Sequence, residues 1–508
     1  MAIHDSKFPT FRKLLRAVFN WRNARRALLG TAALATLVVG FYLEELWRGQ
    51  RAWEAYRREI EALGGTIDLQ KLTPPPVPDE QNFAMTPLLK PLFSENSPAQ
   101  NQKSSTELGD RLMWVDAGGK YLENFLPPVS GSWFLGQTVD LQAWRKSLGQ
   151  PDLLQALKKY DPVLDEISLA SRRPYFRPTL DIRKVNLAEF GTFLQLSRRY
   201  VVRALAELAD GQTARAADDT ITIFQLAKAE GDVPYMLSQL TALTDAGQAM
   251  QVFWEGVTAH QWSDSQLVDF SRELEKFDYL QAEFRSLQFE RALFDERLSR
   301  AASAPGGLDQ WFKGDLQWQH TLVEAFFPRG WIYLDRITLL RNYGNFLAAI
   351  DVPHHRVDLE KIKLAEGDPA QKRIENPKLL DDPFKVWVAF TVSQISSLST
   401  LFAEQEAWLD EAKIACALER FRLANGQLPE KLDELAPKFI AKLPTDIITD
   451  GPLHYQLKAD GHFLLYEVGW DGKDDGGKVV LQADGGAPDS KKGDWVWPDA
   501  VKQPRSGF

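Results

Sequence analysis

The chain has 508 residues with a formal net charge of −9, 44% hydrophobic and 25% charged residues. That balance belongs to a folded protein of two or three domains, and excludes a mostly disordered chain, a collagen-like repeat and a polytopic membrane protein. The acidic balance weighs against nucleic-acid binding, and a single Cys excludes an internal disulfide framework or a Cys-rich zinc module.

Residues 1–26 hold Lys7, Arg12, Lys13, Arg16, Arg22, Arg25 and Arg26 against Asp5. Residues 27–43, ALLGTAALATLVVGFYL, carry no charge and are flanked by Trp21 and Trp47. At ~1.5 Å per residue the run approaches the ~30 Å of a bilayer core, with aromatic residues where interfacial belts lie. The pattern predicts one transmembrane anchor in a bacterial inner membrane. By the positive-inside rule, residues 1–26 are a cytoplasmic stub and the bulk is extracytoplasmic. The rival reading, a cleaved signal, expects an A-x-A site after the run, where Glu44, Glu45, Leu46, Trp47 and Arg48 follow instead. The charge then divides by compartment, because +6 in residues 1–26 leaves −15 for residues 44–508.

Trp47, Trp53, Tyr56, Ile60 and Leu63 recur at helical spacing, so a helix is expected over 44–64, stopping at Gly64-Gly65. Pro74-Pro75-Pro76-Val77-Pro78 reads as an extended tether, closing a juxtamembrane segment of residues 44–78. A mainly helical ectodomain is expected over 79–383. Its first part is irregular, with short helices at 139–148 and 151–160. SRRPYFRP (171–178) can bind a polyanion, or form a turn packing Tyr175 and Phe176 onto the core.

Helices are expected up to Gly211, from there to Gly231, over 233–260, from Ser263 onward, and over 279–300. Joined by short turns, they suggest αα-hairpins. Ser263 and Gln266 have capping-box spacing. A loop is expected over 301–330, a helix over 331–350, a long loop over 351–383 and a helix over 384–425.

The remaining residues, 384–508, read as a small α+β module. A helix ends at Asn425-Gly426, Pro429 opens a short second helix, and two strands meet at Asp460-Gly461. Asn425, Gly426, Leu428, Pro429, Leu443, Pro444, Asp446, Tyr455, Tyr466, Gly469, Asp471, Gly472, Asp474 and Asp475 carry a pattern. Through it, residues 404–478 resemble the C-terminal part of the major pseudopilin of type II secretion systems. The resemblance implies a pilin-like fold and a calcium ion at Asp471, Asp474 and Asp475. Three carboxylates and two glycines in a short loop suit an oxygen-seeking cation, and equally a solvated turn held by its own Asx bonds. The chain departs from the family in the long segment between its apolar run and this module.

There is no H-E-x-x-H, G-x-S-x-G, P-loop or G-x-G-x-x-G. The adjacent His354 and His355 can share a metal only in a loop, and Cys416 reads as a packed thiol. Asp218-Asp219 and Asp381-Asp382 show no partner in sequence. Trp254, Trp262, Trp311, Trp318 and Trp331 read as core, or as the lining of a groove. The overall expectation is a mainly α, single-pass extracytoplasmic binding or scaffold protein near a secretion or pilus-type assembly, with envelope proteins as partners and no nucleic acid. The alternative is a carboxylate-dependent hydrolase of a wall polymer.

Overall fold

The apolar run and the charged stretch after it form one helix. The computed structural model describes residues 21–62, 65–93, 153–178, 187–303, 328–367, 389–482 and 488–498. Helices of eight residues or more among them are α1 (Trp21–Ala62), α2 (Asp161–Ala170), α3 (Leu187–Ala209), α4 (Thr213–Gly231), α5 (Met236–Thr258), α6 (Asp264–Leu274), α7 (Tyr279–Ser303), α8 (Arg329–Leu347), α9 (Leu359–Gly367) and α10 (Ala389–Asn425). Strands are few and short: β1 (Ile350–Asp351), β2 (Arg356–Val357), β3 (His454–Leu457), β4 (Phe463–Glu467), β5 (Val479–Leu481), β6 (Pro488–Gly493) and β7 (Trp495–Val496). The chain is mainly helical, as composition and periodicity predict.

The chain forms two compact units, each assembled from separated stretches of sequence. One comprises Met1–Thr66, Phe294–Arg341 and Arg373–Phe390. Here α1 has two contrasting parts. Up to Glu44 none of its residues is buried, and the first buried one is Glu45, followed by Gly49, Tyr56 and Ile60. The N-terminal part is long and apolar enough to cross a membrane.

The C-terminal part packs on residues of α8 at backbone contact. A Cβ at Gly330 would lie 2.0 Å from the Glu45 carbonyl oxygen, and one at Gly49 would lie 2.2 Å from that of Gly330. Only glycine permits this approach. Trp331 Nε1–H donates to Glu45 Oε2 at 2.9 Å, as does Arg48 Nη2 at 2.7 Å. Arg336 lies 3.8 Å from the Trp53 ring centroid while its fork grips Asp295 at 2.8 and 3.0 Å. A cation both stacked and paired compensates the cost of burying its charge.

The second unit comprises Ile67–Leu293, Asn342–Lys372 and Thr391–Phe508. Its core is formed by α3, α4, α5 and α6 together with α10, around Phe193, Tyr200, Phe224, Phe253, Trp254, Trp262 and Phe270. Trp254 and Trp262 are core residues, and their ring N–H groups are satisfied by the carbonyls of Pro498 and Phe253. The capping box at Ser263 and Gln266 is formed. Gly211 and Gly426, both at positive φ, follow the ends of α3 and α10.

The turn at 171–178 buries Phe176 against Phe83, Phe93 and Phe193, but leaves Tyr175 exposed. Arg173 and Arg177 in that turn serve as staples. They donate to the carbonyls of Asp79 and Asn82 and to the Asp232 carboxylate, respectively.

Two stretches differ from expectation. Residues 351–367 are ordered as β1, a 3-10 turn, β2 and α9 where a loop was expected, because the turn pairs Ile350 with Val357 and Asp351 with Arg356. Asp161–Ala170 is a helix with Pro162 in its first turn, whereas the sequence pattern predicts helix only as far as Tyr160. Near the C-terminus, β3, β4 and β7 form an antiparallel sheet, with Gly461 at φ +83° in the β3–β4 turn as the Asp-Gly pair predicts. The short helix expected from Pro429 is a 3-10 turn over Leu432–Leu435. The helix expected at 139–148, together with Asp381-Asp382, Trp311 and Trp318, lies outside the described residues.

Candidate functional site

The long helix α10 carries Glu404, Glu406, Asp410 and Glu411 on buried surface. Glu406 and Asp410 are four residues apart, so they share one face of the helix. Facing them is His355, which closes the 3-10 turn between β1 and β2. Its backbone is left-handed, with φ and ψ both 52°. For a residue with a Cβ this costs on the order of 1–3 kcal/mol, which the surrounding pairing must hold. His355 N–H closes the turn on Val352 O at 3.1 Å.

This conformation sets His355 Nε2 3.3 Å from Glu406 Oε1 and 3.5 Å from Asp410 Oδ2. Among the described residues, these are the His, Cys, Asp and Glu ligand atoms that gather in a group of three within 4.8 Å.

The other oxygen of each carboxylate is committed. Glu406 Oε2 accepts the backbone N–H of Tyr279, and Asp410 Oδ1 accepts Lys413 Nζ at 2.7 Å. A second layer of bonds joins the neighbouring sheet to the turn. Val357 N–H donates to Ile447 O at 2.8 Å, and Ile447 N–H donates to Glu467 Oε2 at 3.1 Å. Asp446 takes Val468 N–H at 2.7 Å on one oxygen, and Ile448 and Thr449 N–H at 2.9 and 2.8 Å on the other.

The electrostatics follow from many buried acids around few cations. Hydrogen bonding to Asp410 and Glu406 pushes the His355 pKa up to about 10. Burial raises Glu406 above the ordinary carboxylate range. Burial would raise Asp410 too, but Lys413 and His355 together hold it below that range. Burial raises both Glu411 and Glu467, reinforced by repulsion from Glu467 and Asp410 on the former and from Asp410 and Asp446 on the latter. Chemically, the arrangement can hold an imidazolium between two carboxylates, or a divalent cation on one nitrogen and two oxygens.

The three acids expected to bind calcium are arranged differently. Asp471 Oδ1 accepts Lys473 N–H at 3.0 Å, and Asp474 Oδ1 accepts Gly476 N–H at 2.9 Å and Tyr466 Oη–H at 3.0 Å. These are the Asx bonds of a self-supporting turn. The loop is organised around Asp494, whose carboxylate accepts the N–H groups of Asp475, Gly477 and Lys478 at 2.7–3.3 Å. Asp471, Asp474 and Asp475 do not form a three-acid group within 4.8 Å.

His354, paired in sequence with His355, bonds Asp351 instead at 2.8 Å. Asp219 has a buried partner, Arg203, and Cys416 is buried with its Sγ–H on Leu267 O at 3.1 Å.

Glu406, Asp410 and Asp494 were not legible as site residues. The available signal was the i, i+4 acid pair on the apolar face of the helix, in EQEAWLDEAK. Comparison with family models, curated proteins and solved structures gives no match.

Proposed function

We propose that this chain is a single-pass protein of a bacterial inner membrane, with residues 1–26 cytoplasmic and an extracytoplasmic bulk that binds or scaffolds envelope proteins. One observation carries the reading. In α1, Leu28, Leu34, Leu37 and Leu43 are 62–72% exposed, while the same helix is packed from Glu45 onward. Each such side chain gains about 1.5–3 kcal/mol on leaving water, so the exposed part requires an apolar surround. The basic flank before it and the acidic remainder after it support the orientation.

Within this proposal, the helical region supplies αα-hairpin binding surfaces and residues 384–508 a pilin-like module, supported by α10 leading to the β3–β4–β7 sheet. Calcium at Asp471, Asp474 and Asp475 belongs to the same proposal. Against it stands the hub at Asp494, which already holds the loop. The hydrolase alternative draws support from the convergence of Glu406 and Asp410, and loses Trp254 and Trp262 as groove lining, because both are core residues.

The test is fractionation and protease access. The chain is expected in the membrane pellet after alkaline carbonate washing, and its bulk is expected to be digested in spheroplasts but not in intact cells. Release by carbonate, or protection in spheroplasts, overturns the reading.

A further inference from the structure

We propose that His355 Nε2, Glu406 Oε1 and Asp410 Oδ2 are three ligands of a divalent transition metal ion of the zinc class.

The first argument is geometric. A strong imidazolium–carboxylate bond closes to about 2.7–2.9 Å. Here the two N···O separations are 3.3 and 3.5 Å. A tetrahedral ion with bonds of about 2.0–2.2 Å has donor–donor edges of roughly 3.4 Å. The observed separations fit that edge and are long for the ion pair.

The second argument is which oxygens are spare. Glu406 Oε1 and Asp410 Oδ2 are buried and accept no hydrogen bond of good geometry. Their sister oxygens are held by Tyr279 N–H and Lys413 Nζ. Metal-binding carboxylates are oriented in this way, one oxygen fixed from behind and the other turned to the ion. These two buried oxygens lie within 4.8 Å of one another and have only the His355 ring, at long range, to offset the cost of their burial.

The third argument is charge and access. His355 and Lys413 are the cations set against Glu406 and Asp410, and a dication on a neutral imidazole would place more positive charge between the two carboxylates than the imidazolium does. The His355 side chain is 32% exposed, which gives an ion a route from water to the cluster. One imidazole and two carboxylates favour zinc, iron(II), cobalt or manganese over calcium, which wants six to eight oxygens. The left-handed backbone at His355 is the strain that aims the ring.

The experiment uses the full-length protein in detergent, stripped with a chelator and dialysed against Zn²⁺ or Co²⁺. Wild type is expected to retain a single equivalent of zinc, to give a visible Co²⁺ d–d spectrum, and to melt at a higher temperature with zinc than without. His355→Gln is a partly exposed turn variant, monitored for folding by circular dichroism. It and Glu406→Gln are expected to weaken zinc binding by roughly 10–100-fold or more and to abolish the Co²⁺ spectrum. The variant Asp474→Asn is expected to bind as wild type does. If stripped wild type takes up no more zinc than folded His355→Gln, or Co²⁺ gives no spectrum, the proposal is overturned and the cluster is an ion pair alone.

Discussion

Arg203 grips Asp219 with both arms of its fork: Nε donates to Oδ2 and Nη2 to Oδ1, each at 2.7 Å, and both side chains are almost fully buried. The remaining arm reaches Asp161 at 2.8 Å, tying α2 to α3 and α4. Asp219 belongs to an acidic pair that looks idle in the sequence, since its partner lies sixteen residues away on the preceding helix.

Replacing Arg203 by Met leaves a carboxylate buried without its cation. The expected loss is about 3–5 kcal/mol, read as a lowered urea midpoint of the full chain. Adding Asp219→Leu to Arg203→Met is expected to restore most of that loss, because apolar pairs of similar volume often match a buried ion pair. Failure of the second change to recover stability refutes the account.

Glu283 lies fully buried, receives a hydrogen bond from Ser399 Oγ, and has its pKa pushed up to about 8 by burial. Its unfolded-state value is near 4.5, so between these limits the unfolded chain loses the proton first. Its contribution therefore falls as pH rises from ~4.5 to ~8, in total by on the order of a few kcal/mol. Glu283→Gln removes this dependence. The variant's melting temperature relative to wild type is expected to rise across that window and to stay level above it.

Burial pushes the Cys416 thiol up to about 12, and no solvent reaches it. The native protein at pH 8 is expected to react with a thiol reagent orders of magnitude more slowly than in urea, since the thiolate is the nucleophile. Rapid labelling of the folded chain contradicts the buried placement.

A Cβ at Gly256 would stand 2.1 Å from Trp262 Cε2. The ring cannot yield freely, because its Nε1–H is bonded to Phe253 O at 2.9 Å. Gly256→Ala is expected to destabilise by about 1–3 kcal/mol or more, although Ala is the better helix former. The control is Gly191, also helical, with nothing within 4 Å of its added Cβ. There the same change is expected to be neutral or to stabilise by up to ~1 kcal/mol.

Removing the Asp494 carboxylate, as Asp494→Ala, frees the backbone N–H groups of Asp475, Gly477 and Lys478. Hydrogen exchange at these amides is expected to accelerate strongly, with α10 unchanged. In contrast, Asp475→Ala leaves those three N–H bonds in place and is expected to change little.

Local signals were readable along the chain. The apolar run of α1, the Ser263–Gln266 box, the glycine after Asn425 and the Asp460-Gly461 turn each rest on residues a few positions apart. What escaped depends on distant partners. His355 gains meaning from Glu406 and Asp410 some fifty residues on, and Asp494 from a loop nearly twenty residues earlier. The turn at 351–357 lacks the Asn-Gly or Asp-Gly pair that marks a hairpin, since a histidine occupies the left-handed position. Acids on the buried side of α10 also blur the apolar stripe from which burial is inferred.

In α1 no break separates Leu43 from Glu45. In the proposed anchor, the residues facing lipid and the residues packed on Gly330 and Trp331 therefore share one rotational phase. At ~3.6 residues per turn, inserting a single alanine at position 44 rotates one face against the other by ~100°. Either the glycine contact or the helix's orientation in the bilayer then has to give way. Inserting seven residues, close to two full turns, nearly restores the register. In that reading the anchor is a shaft keyed to its socket: a twist of its apolar part is passed along a continuous helix toward Trp331, as it would not be through a flexible tether.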